Sequence, residues 1–108
     1  MKEGKIFVAD LNPTRGHEQS GIRPVVIISV EKFNTSFLDL VMVCPLTTKE
    51  KTFATHVEVK NINLKAKSYV KCEDLRSISK GRLLKEIGEL SENDMRKIKS
   101  ILRKILGF

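Results

Sequence analysis

The sequence predicts a mainly β fold: a small, strongly curved antiparallel sheet or barrel with one C-terminal helix packed against it. Three observations carry this. Short runs rich in β-branched residues recur along the chain, such as VVIIS and LVMVCPL, with turn-forming residues between them. Only the C-terminal stretch has apolar residues at helical spacing. No linker, internal repeat or low-complexity segment interrupts the 108 residues, so a single domain over residues 1–108 is expected.

Taken in order, Gly4 precedes a first strand over residues 5–11. Asn12-Pro13-Thr14 reads as a turn, and a polar loop over residues 15–22 follows, with His17 between Gly16 and Gly21. Residues 25–30 form a β-branched strand, and residues 31–35 one helical turn or an irregular link. A buried strand over residues 38–46 ends near Pro45, because proline cannot donate to a ladder. Residues 47–53 make a polar loop carrying Lys49 and Lys51. Residues 55–59 alternate, with Val57 and Val59 inward and His56 and Glu58 outward. After a link at 61–65, a strand over 68–75 puts Val70 and Cys72 on one face and Lys71 and Glu73 on the other. Residues 79–82 read as a turn, and 83–88 as a short last strand.

The terminal helix has the clearest signature. Ser91 followed by Asp94 is a capping-box-like start. Met95, Ile98, Ile101, Leu102, Ile105 and Leu106 then recur every three or four residues. Gly107 is a natural stop. Arg96, Lys97, Lys99, Arg103 and Lys104 solvate the other faces. A fold of this size buries limited area, so dimerisation would add stability.

Composition narrows the function. Hydrophobic residues make up 41% and charged residues 31%, as in an ordinary soluble domain. The net charge of +7 and a pI near 9.6 favour a polyanionic partner. Lys2 and Glu3 break any signal-peptide pattern at the start, and the longest apolar run, residues 40–44, is too short to cross a bilayer. A cytoplasmic protein without membrane association is expected. Cys44 and Cys72 sit inside strand-like runs and read as buried free thiols rather than a disulfide. There is no CxxC or HxxxH spacing, so no metal site is expected.

The stretch VADLNPTRGHEQSGIRPVVIIS resembles the opening of the MazF/PemK (Kid) toxin family. So do VCPLT, THVEV, KCEDLRSI and LSENDMRKIKSILRKILG, in the same order from about Gly4 to Gly107. The resemblance implies an SH3-like barrel with a helix, a homodimer and a metal-independent endoribonuclease that needs no cofactor. It implies cleavage of single-stranded RNA at short sequences, leaving a 2′,3′-cyclic phosphate and a 5′-hydroxyl. It also implies inhibition by a cognate antitoxin of the MazE/PemI type with an acidic tail.

Cleavage by the RNA's own 2′-hydroxyl needs a base, an acid for the departing 5′-oxygen, and charge or donors on the phosphate. Arg23 is the leading candidate, since its planar fork matches phosphate oxygens. The resemblance places a catalytic arginine there. A guanidinium pKa above about 12 makes it a phosphate stabiliser or proton donor rather than a base. Thr47 matches the family's second key position and can donate a hydroxyl hydrogen bond. His17 matches a histidine of the PemK/Kid branch and suits proton transfer near neutral pH.

Lys71 and Glu73 match an arginine and an aspartate that the Kid branch uses as acid and base, and Glu73 could be the general base. Relatives tend to have glutamine at the next position, where this chain has Asp74. The same two side chains could equally be an in-strand ion pair. For RNA binding, Glu18, Gln19, Thr48, Lys49, Lys51 and Arg76 supply polar or charged contacts, and Phe53 a stacking surface. Two other readings stay open at this level: a CcdB-like, non-enzymatic toxin of the same fold acting on DNA gyrase, and an RNA-binding barrel that has lost cleavage.

Overall fold

A computed structural model describes residues 1–12, 21–60, 63–64 and 66–108. The strands are β1 (Lys5–Asp10), β2 (Ile22–Ile27), β3 (Leu40–Thr47), β4 (His56–Val59), β5 (Ser68–Lys71), β6 (Arg76–Ser79) and β7 (Leu83–Glu89). A single turn of helix, α1 (Glu31–Asn34), links β2 to β3, and α2 (Glu92–Leu106) ends the fold. All pairings are antiparallel, in the order β4-β5-β3-β2-β1-β7, with β6 beside β3. The mainly β fold with a terminal helix is therefore as expected. Among the described residues, however, β4 and β7 remain edges, so the ladder curls without closing.

Three strands depart from the expected boundaries by two residues or more. β2 starts at Ile22, which brings Arg23 and Pro24 into the ladder opposite Ala9 and Val8. β3 runs through Pro45 to Thr47. Proline is tolerated there because β3 has two successive partners on one side. Leu40 to Val43 pair with β6, and Leu46 and Thr47 pair with β5. Pro45 falls in the gap between them, where the missing N–H costs no bond to either.

The same arrangement corrects the strand expected over residues 68–75. β5 stops at Lys71, a 3-10 turn spans Cys72–Asp74, and a separate strand, β6, follows. The chain has to step sideways along β3, and the turn makes that step. Cys72 N–H donates to Thr55 O at 3.1 Å and Leu75 N–H to Cys72 O at 3.3 Å. Alternation alone hides the break, since Val70 and Cys72 are buried either way.

The sheet buries both faces. On one, Ile6, Val26, Cys44, Leu46, Val57, Val59 and Val70 meet Met95, Ile98 and Leu102 of α2. The other curls over Ala9, Leu11, Val25, Ile27, Val41, Val43 and Ile78. Cys44 and Cys72 are buried free thiols. Burial pushes the Cys72 thiol up to about 12 and the Cys44 thiol further still, with neighbouring acidic groups adding to the shift. Both therefore behave as small apolar side chains at neutral pH.

Candidate active site

Register assembles the site. β2 pairs with β3 as Val25↔Pro45, Val26↔Cys44 and Ile27↔Val43. Carried two residues further, this register sets Arg23 across from Thr47. Thr47 in turn faces Tyr69, which faces Glu58. Directly opposed residues in antiparallel strands point to the same side. Val25 and Ile27 belong to the face away from α2, so Arg23 and Thr47 project from that face. Lys71 shares it by alternation with Tyr69, His56 lies opposite Lys71, and Arg76 shares it by alternation with Ile78.

Each side chain has a distinct setting. Arg23 is half-buried at the start of β2. Thr47 is buried, and its Oγ1 accepts the Lys49 N–H at 3.2 Å. A hydroxyl has one hydrogen and two lone pairs. This bond uses a lone pair and leaves the Thr47 hydrogen to donate. Arg76 opens β6 across from Val43 and is partly buried.

Lys71 and Glu73 do not pair with one another as an in-strand pair would. Lys71 Nζ lies 3.4 Å from Asp74 Oδ2, with the two side chains only 15% and 14% exposed. Lys71 and Asp74, two of the three positions expected to differ from the Kid-branch pattern, are thus ion-paired with each other. Glu73, carried round by the 3-10 turn, meets His56 instead, with Nε2 to Oε2 at 2.9 Å. Burial raises the Glu73 pKa, but hydrogen bonds from His56, from its own backbone N–H and from Thr55 outweigh it and hold the carboxyl below its ordinary value. At neutral pH Glu73 is a carboxylate, an acceptor only, so His56 Nε2 is the donor.

His56 was expected on the outward side of its strand. Its side chain is 3% exposed. Phe53, in the loop before β4, meets the His56 ring edge-on at 5.2 Å between centroids. Lys51 Nζ sits 5.5 Å from the Phe53 centroid, within cation–π range. Thr48, Lys49, Lys51 and Phe53 are all exposed in this loop, so it offers cations and a ring beside Thr47 and Glu73. His17, Glu18 and Gln19 lie outside the described residues.

A family model for "PemK-like, MazF-like toxin of type II toxin-antitoxin system" matches residues 2–106. The chain belongs to this toxin family. Endoribonuclease MazF of Staphylococcus saprophyticus is 33% identical to it over 111 residues, covering 99% of this chain and 92% of that protein. A mycobacterial endoribonuclease solved in complex with its cognate antitoxin has 25% identity and a TM-score of 0.83, covering 100% of this chain and 96% of its own. The crystal structure of MazF from Deinococcus radiodurans superposes with a TM-score of 0.89, covering 100% and 97% of the two chains; at 23% identity it speaks to the fold alone.

Within the toxin fold, the structure adds one residue that the sequence reading left out. His56 is tied to Glu73, and no other hydrogen bond is made to its buried Nδ1 among the described residues. The signal was present in THVEV, a histidine on a strand edge. It became meaningful only when the turn after Lys71 brought Glu73 to it.

Proposed function

We propose that this chain is a toxin endoribonuclease that cuts single-stranded RNA without a metal, by attack of the 2′-hydroxyl on the adjacent phosphorus. The products would be a 2′,3′-cyclic phosphate and a 5′-hydroxyl. The observation that carries this reading is the β2–β3 register, Val25↔Pro45 to Ile27↔Val43, whose continuation sets Arg23 across from Thr47 on one sheet face, in a chain matched to the toxin family almost end to end.

Arg23 places two parallel donors on the phosphate oxygens as charge shifts onto them, and supplies a proton to the departing 5′-oxygen. Thr47 adds its hydroxyl donor. Glu73 takes the 2′-proton. It is ionised at neutral pH, and 36% of its side chain is open to solvent. His56 fixes its orientation while keeping it a weak base. Lys71, neutralised by Asp74, adjusts the local field. Thr48, Lys49, Lys51, Phe53 and Arg76 track the strand, and His17, Glu18 and Gln19 complete the reading of bases and phosphate.

The working form is a homodimer in the cytoplasm, held inactive by a cognate antitoxin whose acidic tail lies across the same basic face. Complementary charge supports this partner.

Purified protein should cut a long single-stranded RNA in the presence of EDTA, with cyclic phosphate at the new 3′ ends. Arg23→Ala should lower cleavage by at least about 10²–10³-fold, the loss seen when one preorganised donor to a developing oxyanion is removed. Arg23→Lys should restore little, because lysine lacks the fork. Intact RNA with the wild type, or full cutting by Arg23→Ala, would overturn the reading. Gyrase-dependent DNA breaks without RNA cleavage would replace it with the CcdB-like one.

A further inference from the structure

We propose that Arg82 is a positioning residue for Arg23: it locks the mouth of the loop between β1 and β2 through main-chain carbonyls, and so fixes the strand end from which Arg23 projects. The inference rests on the endoribonuclease reading above and adds a residue to it.

The bonds form a continuous chain. Arg82 closes the 3-10 turn Lys80–Arg82 just before β7. Its Nη1 donates to Asp10 O at 3.1 Å and also to Asn12 O. Nη1 carries two hydrogens, and both are committed to backbone. Asn12 is gripped in turn. Its N–H donates to Asp10 Oδ1 at 3.0 Å, and its Oδ1 accepts the Gly21 N–H at 3.0 Å. Leu11 N–H donates to Gly21 O at 3.0 Å. Gly21 adopts a φ of +82°, which L side chains rarely take, although a Cβ there would meet nothing within 4 Å. The requirement for glycine is therefore conformational.

Arg23 follows Gly21 by two residues and is paired with Ala9, which also pairs with Leu83, the residue after Arg82. The clamp and the candidate catalytic arginine thus sit on one row of the sheet. An arginine suits the task because its donors leave a rigid plane in fixed directions. The two carbonyls it binds come from Asp10 at the end of β1 and from Asn12 two residues on, and holding both sets where the strand stops. Without that, the β1–β2 ends would fray and the Arg23 fork would sample several directions. Misplacement of about 1 Å can cost about 10²-fold in rate.

The test compares full-length wild type with Arg82→Ala, Arg82→Lys and Asn12→Ala. Three quantities are read: single-turnover cleavage of an RNA carrying a mapped site, affinity for the same RNA with hydrogen in place of the scissile 2′-hydroxyl, and amide exchange at Leu11 and Gly21. Arg82→Ala should lower the cleavage rate by about 10²-fold while affinity stays within about threefold. Both amides should lose protection. Asn12→Ala should act in the same way, and adding it to Arg82→Ala should cost little more, because the two belong to one network. Arg82→Lys should recover part of the rate, since an ammonium can still reach a carbonyl.

Affinity falling in step with rate would make Arg82 an RNA contact and overturn the proposal. So would an unchanged rate. If the wild type cuts no RNA, the endoribonuclease reading fails, yet the exchange arm still decides the clamp: unaltered protection in Arg82→Ala overturns it.

Discussion

Opposing influences meet at Glu73. Burial alone would raise its pKa, yet the bonds from His56, its backbone N–H and Thr55 leave it lowered. A carboxylate whose pKa is lower folded than unfolded adds stability above its unfolded value, and that stability is lost as pH falls through the folded one. Denaturant midpoints should therefore show a larger stability gap between wild type and Glu73→Gln at pH 7 than in the acid range below the ordinary carboxylate pKa. A gap that stays constant across that window would mean the His56 bond does not favour the charged form. Candidates with a chemistry of their own could be named from the sequence, the arginine before Pro24 and the threonine after PL, and the register of β2 on β3 sets the two across from each other. His56 was not among them. Alternation assigns it to an outer side without saying what it meets there, and what it meets is Phe53 and a Glu73 displaced by a turn.

Among the elements, α2 was legible throughout, because its cap, period and stop are all local. Ser91 Oγ accepts the Asp94 N–H at 3.1 Å, and Gly107 ends the helix at φ 81°. Ser91→Ala should cost about 1 kcal/mol of folding stability, the usual worth of an N-cap side chain, measured by urea denaturation with an unchanged m-value. No loss would place the start of the helix under the control of its packing on Leu90 and Ile6 rather than of its cap. The strands were less legible where non-local pairing set their limits. β3 crosses Pro45 because two strands share one of its sides, and β5 gives way to β6 for the same reason. Neither fact is written in the residues 40–47 or 68–79 taken alone. It follows from where each strand finds room.

At the scale of the molecule, the cations behind the net charge of +7 lie on both sides of the sheet. Arg103 and Lys104 lie in the last turn of α2, and that helix packs on the sheet face opposite Arg23 and Thr47. Lys49 and Lys51 extend from the strand end that carries Thr47. At physiological salt, charges separated by much more than about 8 Å are largely screened, so the two groups should contribute differently to RNA binding. For single-stranded nucleic acid, log affinity falls against log salt with a slope of roughly −0.7 for each phosphate neutralised. Replacing Lys49 and Lys51 with alanine should make the slope shallower by about 1.4 if each holds one phosphate. Replacing Arg103 and Lys104 should leave it unchanged, although both pairs remove the same net charge. Fluorescence anisotropy of a non-cleavable RNA between low and high salt reads both. Equal loss of slope from the two pairs would mean that the RNA responds to overall charge and not to one face, and the single-faced site would then have to be abandoned.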